Sequence, residues 1–263
     1  TAVAHRTGWA MLILWGYIAF KRLPIPREPR IWAAFLVMGI LNNVIPFSLM
    51  AWGQLHIETG LTAILNASTA IFGVIAAAIF FADEKLSWRK AIGVTTGFFG
   101  VATAIGLANL THFDLRSIAQ LAVVGGTLSY ALAGVWARKT IGHLKPQVAA
   151  AGMVTGASLV MIPLAWIIEG PITLNLAPAT WLAIGYYAII ATAVAYLLYY
   201  RVLALAGSGN LMLVTLTVAP VAIILGAVTL GEALPLNAYV GFGILALGLI
   251  ILDGRLLSRL KRP

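Results

Sequence analysis

The feature that most limits the fold of this chain is a series of nine long apolar runs, which leave few residues for anything else. A hydrocarbon layer of about 30 Å requires about 20 apolar residues for one helical crossing. A backbone in lipid must satisfy its own N–H and C=O groups, so each crossing is a helix or part of a closed barrel. The runs are too continuously apolar for barrel strands of about 10 alternating residues. The sequence therefore predicts an all-α polytopic membrane helical bundle, with crossings at residues 4–20, 31–55, 59–81, 88–107, 117–137, 147–168, 180–203, 207–230 and 238–257.

Composition supports this class and argues against several functions. Charged residues make up 10% of the 263 residues, against about 25% in soluble domains. The net charge of +9 comes from residues beside the ends of the runs, which membrane topology explains without nucleic acid. The chain has no cysteine, which excludes thiolate-bound metals, and its four histidines lack the spacing of metal ligands. We expect no cofactor, no metal and no nucleic-acid partner.

The basic residues are distributed unequally between the two faces of the predicted bundle. If successive loops alternate between the faces, one face carries 15 of the 17 Lys and Arg residues, and the other carries only Arg6 and Arg116. Cytoplasmic loops are enriched in Lys and Arg. The sequence therefore predicts a cytoplasmic C-terminus and places Arg6 on the external side.

A short motif occurs twice, 148 residues apart, as FFADEKLSWRKAIG and TLGEALPLNAYVG. The offset pairs Glu84 with Glu232 and Gly93 with Gly241, and it maps the last four runs onto the first four. The fifth run has no counterpart, so we expect a further N-terminal helix that this sequence lacks. Five helices per copy invert the second copy relative to the first. The predicted organisation is an inverted 5+5 repeat of ten helices, with a first repeat at 1–109 (helices 2–5), a second at 117–257 (helices 6–10) and a basic cytoplasmic tail at 258–263.

The sequence resembles the EamA branch of the drug/metabolite transporter superfamily, most closely the YddG-like bacterial amino-acid exporters. The resemblance rests on the five-plus-five count, on Pro220 within VTLTVAPVAIILGAVTLGE, and on a helix-end Glu-x-Leu before a glycine-rich helix (Gly93, Gly97, Gly100; Gly241, Gly243, Gly248). It implies a multi-pass protein of the bacterial inner membrane with cytoplasmic termini. It also implies a central cavity lined by helices one to four and six to nine.

A polar and small-residue stripe follows one face of the third run. Its members Thr62, Asn66, Thr69 and Gly73 are spaced by four, three and four residues, which is the spacing of one helix face. Polar side chains in a bilayer either bond a neighbouring helix or face water. Cavity lining and interhelical packing therefore both stay open, and we take Thr62, Asn66 and Thr69 as candidate substrate contacts.

Aromatic and amide side chains mark the second, fifth and seventh runs. Ser48 pairs with Tyr196, and Trp52 with Tyr200, at the 148-residue offset. An aromatic and amide-lined cavity without fixed charge suits amphipathic zwitterions, whose rings stack on tyrosine while their polar groups bond amides. The further candidate substrate contacts are Asn43, Ser48, Trp52, Tyr130, Tyr196, Tyr199 and Tyr200.

Other residues have predicted mechanical or structural roles. Pro46 and Pro220 lie inside predicted helices, where the missing N–H permits bending, and both are candidate hinges for alternating access. Glu84 and Glu232 fall at helix ends, where a carboxylate binds free backbone N–H groups. The GxxxG of the fourth run permits close helix approach, either within the bundle or in a homodimer. Acidic residues are confined to run ends and loops, so the visible chain shows no proton relay.

The predicted function is secondary transport, with a small amino acid or related metabolite as substrate and the lipid bilayer as partner. The sequence has neither an inward-facing pair of acids nor a Walker A loop, so an enzyme is not expected. Aromatic or other neutral amino acids are the expected substrates. Export of another metabolite or drug class, a channel, and a non-transporting membrane protein remain alternatives, and both a monomer and a homodimer stay open.

Overall fold

A computed structural model of the chain describes residues 1–114, 117–230 and 235–253. Glu232 and the predicted tail at 258–263 lie outside these ranges. Every regular element within them is helical, which confirms the all-α class. Six helical segments are long and apolar enough to cross a membrane: Pro29–Gly53, Thr59–Phe80, Ile118–Thr140, Pro146–Glu169, Pro178–Met212 and Leu236–Asp253.

Each of the nine predicted runs corresponds to helix. The first half of the chain contains α1 (Ala2–Phe20), α2 (Pro29–Gly39), a π-helical turn (Ile40–Val44), α3 (Ile45–Gly53), α4 (Thr59–Ala67), α5 (Thr69–Phe80), α6 (Trp88–Ile105) and a 3₁₀ turn (Leu107–His112). The second half contains α7 (Ile118–Thr140), α8 (Pro146–Glu169), α9 (Pro178–Ala188), a second π-helical turn (Ile189–Val194), α10 (Ala195–Met212), α11 (Val214–Leu230) and α12 (Leu236–Asp253).

Local interruptions of the α-helical winding occur within two of the runs and at the start of a third. The π-helical turns lie within the second and seventh runs, and their first residues, 40 and 189, are 149 positions apart. Pro46 follows the first turn, but no proline follows the second, so proline alone does not cause the wider winding. Such turns are frequently found at functional sites. In α10, Gly207 has a positive φ of 81° and separates the long helix before it from the helical residues after it.

The residue types at several helix ends are those that favour the start or the end of a helix. Pro29, Pro146 and Pro178 begin α2, α8 and α9, where the first N–H of a helix has no intrahelical partner. The Ser87 hydroxyl accepts a hydrogen bond from the Lys90 N–H at 3.2 Å and caps α6. Gly106 ends α6 with a φ of 119°, a conformation that side chains with a Cβ rarely adopt.

Two compact units are built from interleaved parts of the chain. Unit 1 comprises Thr1–Ser48 and Val135–Gly207, and unit 2 comprises Leu49–Gly134 and the chain from Ser208 onward. Each unit therefore takes segments from both predicted repeats. The sequence repeats divide the chain differently from these compact units. The repeat organisation stays a prediction.

Unit 1 is packed around α8, which contacts both α1 and α2. Gly156 approaches the α2 backbone so closely that a Cβ there would overlap the carbonyl of Phe35. Gly39 faces the Ala157 backbone in the same way. Small residues allow helix backbones to approach closely in membranes, so these glycines set the distance between α2 and α8.

Unit 2 is dominated by the pairing of α6 with α12. A Cβ at Gly100 would overlap the Leu245 backbone, and Gly97 and Gly248 face each other. Of the two interpretations of the GxxxG of the fourth run, the structure thus shows packing within the chain. Leu216 and Val101 are fully buried in the adjoining apolar core.

Candidate functional site

A buried cluster of amides and a phenol lies inside unit 1. Asn42 and Asn43 belong to the first π-helical turn and are 2% and 0% exposed. The Asn42 Nδ2 donates to the Tyr196 hydroxyl at 3.1 Å, and that hydroxyl donates to Asn43 Oδ1 at 2.6 Å. The three side chains therefore form one hydrogen-bonded chain between two helical segments. Two of them, Asn43 and Tyr196, are among the predicted contacts.

Several polar atoms beside this chain are buried without a protein partner among the described residues. They are Asn42 Oδ1, Asn43 Nδ2 and the Tyr199 hydroxyl. A buried donor or acceptor without a partner costs about 1–3 kcal/mol. These atoms therefore offer an acceptor, a donor and a group that acts as both to a small polar molecule.

Aromatic rings extend the cluster along α10. The Tyr199 ring lies 6.0 Å from the Tyr196 ring and 5.2 Å from the Tyr200 ring, both in edge-to-face orientation. The Tyr200 hydroxyl donates to Met153 Sδ at 3.4 Å, so it already has a partner. Of the two neighbouring hydroxyls, only that of Tyr199 is left without a described partner.

A cation lies in the same unit, at a position that the charge pattern alone assigned to an external loop. Arg6 is within α1. Its Nε donates to Thr192 Oγ1 at 2.8 Å, and its Nη2 donates to the Ala191 carbonyl at 3.0 Å. The guanidinium carbon lies 4.3 Å from the centre of the Phe47 ring. The topological interpretation of Arg6 missed these contacts, although its place inside the first apolar run was a signal for them.

A cavity of about 290 Å³ adjoins Arg6 in unit 1. Its other walls are residues of α1 and α9, and most of them are apolar: Ala2, Val3, Thr180, Ala183, Ile184 and Tyr187. Sites for small molecules have volumes of about 300–1,000 Å³ and combine apolar walls with a few polar groups. The cavity has this character, with the guanidinium as its charged group.

In unit 2 the predicted stripe has a different hydrogen-bonding pattern. The Thr62 hydroxyl donates to the Glu58 carbonyl at 3.1 Å, and the Thr69 hydroxyl donates to the Asn66 carbonyl at 2.7 Å. Gly73 is covered by the Met212 side chain. Asn66 differs from the threonines, because its buried Oδ1 has no described partner.

The remaining predicted residues are distributed over both units. Ser48 is half-buried in unit 1, whereas in unit 2 Trp52 is 42% exposed with its ring 4.6 Å from that of His56. Tyr130 is half-buried on α7, and Pro46 and Pro220 are both buried. The roles of these residues stay predictions.

Glu84 makes the strongest set of bonds at a helix end in unit 2. Its Oε1 accepts from the Ser208 N–H at 2.8 Å and from the Ser208 hydroxyl at 3.0 Å, and its Oε2 accepts from the Gly209 N–H at 2.7 Å. These N–H groups follow the break at Gly207 and have no partner in a preceding helical turn. A carboxylate at this position satisfies them and complements the positive end of the helix dipole.

A second cavity, of about 360 Å³, lies at one end of unit 2. It is lined mainly by polar residues, among them His56, Glu58, His112 and Asp114. Within the described parts of the chain, however, no three His, Asp or Glu side chains are arranged to hold a metal ion.

Long apolar helices with buried amide, hydroxyl and guanidinium groups between them are typical of membrane transport proteins. The profile of the EamA-like transporter family matches residues 1–106 and 117–252. The chain belongs to this family and is a multi-pass membrane protein.

Curated relatives are similar over different parts of the chain. The probable terminal-alkyne amino-acid exporter of Streptantibioticus cattleyicolor is 29% identical over 215 residues, which cover 80% of this chain and 69% of that protein. The uncharacterized transporter YoaV of Bacillus subtilis is 25% identical over 52% of this chain and 46% of its own length. An uncharacterized transporter of Archaeoglobus fulgidus is 24% identical over 95% of this chain and 84% of its own length.

A solved crystal structure has the same fold. The superposition covers 100% of this chain and 88% of the solved chain, with a TM-score of 0.79 and 16% sequence identity. At this identity the similarity concerns the fold alone.

Proposed function

We propose that the protein exports small amphipathic metabolites, aromatic or other neutral amino acids above all, across the bacterial inner membrane by alternating access. The observation that carries this proposal is the set of unpartnered buried atoms on Asn42, Asn43 and Tyr199 beside tyrosine rings. They match the ammonium, carboxylate and side chain of an amino acid. The similarity to the probable terminal-alkyne amino-acid exporter of Streptantibioticus cattleyicolor supports the same substrate class.

The other predicted residues take roles within this proposal. Pro46, beside the first π-helical turn, and Pro220, inside α11, bend their helices between inward-open and outward-open states. The basic face and the C-terminus are cytoplasmic. Asn43 and the tyrosines Tyr196, Tyr199 and Tyr200 are the main proposed substrate contacts. The further proposed contacts are Ser48, Trp52, Thr62, Asn66, Thr69 and Tyr130.

The test is counterflow of a labelled aromatic amino acid in proteoliposomes. Saturable counterflow identifies a carrier, whereas flux that rises in proportion to concentration, without counterflow, identifies a channel. If labelled phenylalanine and other neutral amino acids fail to exchange while the protein is folded, the substrate class is wrong.

Tyr199→Phe separates binding from folding. It removes a hydroxyl that has no described protein partner, so we expect the protein to become more stable by about 1 kcal/mol while counterflow falls by about tenfold. Ser158→Ala is the matched control, since the buried Ser158 hydroxyl donates to the Val154 carbonyl of its own helix. An unchanged rate in Tyr199→Phe and in Asn43→Ala would remove both residues from the site.

A further inference from the structure

Arg6 lies near the start of α1, and its guanidinium bonds a residue in the middle of the membrane-spanning segment formed by α9 and α10. Its partner Thr192 lies 14 residues after Pro178, where α9 begins, and 14 residues before Ala206, the last helical residue before the break. At 1.5 Å per residue, Thr192 is about 21 Å from each end. A charged side chain that bonds the interior of a membrane-spanning segment is costly, and such residues often mark a substrate or ion pathway.

The described contacts of Arg6 leave its charge uncompensated. They consist of the Thr192 hydroxyl, the Ala191 carbonyl and the rings of Phe47 and Tyr187, and none of these groups is an anion. A guanidinium has five N–H donors, and the bonds to Thr192 and Ala191 use two of them. The remaining donors are on a planar group whose geometry suits a carboxylate.

The surroundings of Arg6 fit an anion that carries an apolar body. The adjoining cavity of about 290 Å³ has mostly apolar walls. Tyr196 follows Thr192 by four residues, about one helical turn, and bonds Asn43. A molecule that placed its anionic group on Arg6 would therefore have apolar surface on one side and the amide cluster on the other.

We propose that Arg6 binds the carboxylate of the transported substrate and thereby selects amphipathic acids and zwitterions over their amides. This inference rests on the proposed export function and names the group that the site recognises. It replaces the expectation of a cavity without fixed charge. The phosphate of an anionic lipid has similar chemistry, and the experiment distinguishes it from a free carboxylate.

The experiment uses the purified full chain in phosphatidylcholine vesicles and measures how phenylalanine and phenylalaninamide inhibit counterflow of labelled phenylalanine. We expect the wild type to prefer the acid by about 10- to 100-fold, the range for a lost charge-assisted hydrogen bond. Arg6→Gln should abolish this preference. Arg6→Lys should retain part of it, because it keeps the charge but loses the planar donor pair.

A purely structural role predicts a different result. If Arg6 only ties α1 to the middle of the neighbouring helix, Arg6→Gln and Thr192→Val should lower stability and slow all substrates equally. An unchanged ratio of acid to amide inhibition in a folded Arg6→Gln protein overturns the inference and leaves the export function intact. If Arg6→Gln fails to fold, the same ratio measured in Arg6→Lys decides the question.

Thermal stabilisation in detergent separates failure of the inference from failure of the export function. The Arg6 site is supported if hydrocinnamate stabilises the wild type, its amide does not, and the effect is lost in Arg6→Gln. This result would support the site even if no amino acid is transported. Stabilisation by phosphatidylglycerol that depends on Arg6, without competition from hydrocinnamate, assigns the site to lipid and overturns the inference. Absence of all these effects also overturns it.

Discussion

The two units use their polar side chains in different ways. In unit 1 several polar groups bond across segments, as Arg6 does with Thr192 and Tyr196 with Asn43, while Ser158 bonds its own helix. In unit 2 most membrane-depth threonines, such as Thr62 and Thr69, donate to carbonyls of their own helix or of the residue before it. Hydroxyls bonded in this way are satisfied without a neighbour.

This difference indicates that the two units contribute differently to transport and to stability. Unit 1 keeps unpartnered atoms on Asn43 and Tyr199, which cost stability unless a ligand or water meets them. Both units contain close glycine contacts, and unit 2 also contains the helix-end bonds of Glu84. We therefore expect substitutions in unit 1 to change transport most and substitutions in unit 2 to change stability most.

The largest expected effect is on stability, at Gly100 in unit 2. Gly100→Val places a side chain in overlap with the Leu245 backbone, which cannot yield as a flexible side chain can. We expect destabilisation of about 3 kcal/mol or more and loss of monodisperse protein in detergent. Gly243→Ala is the control, because nothing lies within 4 Å of a Cβ there. If the two variants unfold at the same temperature, close packing of α6 on α12 is not what stabilises unit 2.

Glu84→Gln should have the next largest effect. The amide keeps one acceptor oxygen but turns an NH₂ group toward N–H donors at Ser208 or Gly209. We expect a loss of about 2 kcal/mol in the free energy of unfolding, measured by chemical denaturation in detergent. Glu28→Gln provides the comparison, since Glu28 precedes α2 without a side-chain cap bond. Equal stability of both variants would show that the Glu84 bonds contribute nothing to unit 2.

Thr69→Val should have the smallest effect of the three. The hydroxyl already donates to the Asn66 carbonyl, so only its lone pairs remain for a substrate. We expect less than about 1 kcal/mol of destabilisation and a two- to threefold fall in counterflow, on the order of 0.5 kcal/mol. A tenfold fall without loss of stability would break the comparison, because it would place the main polar contacts in unit 2.

Some residues of the candidate site can be predicted from the sequence, because their positions along single apolar helices single them out. Asn43, Tyr196, Tyr199 and Tyr200 were recognised as polar or aromatic residues within apolar runs. Arg6 lay in the same kind of run, but the charge count assigned it to topology. The bond from Arg6 to Thr192 joins residues 186 positions apart, and no local pattern predicts such a pair.

The sequence by itself determined the membrane class, the positions of the helices and the family resemblance, because each depends on the length and spacing of apolar runs. The tertiary structure decided which helix faces meet. In a bilayer the faces toward lipid and toward other helices are both apolar, so periodicity does not distinguish them as it does in soluble proteins. For that reason the bonds of Arg6, the pairing of Asn43 with Tyr196 and the capping of Ser208 by Glu84 became visible only when the helices were packed.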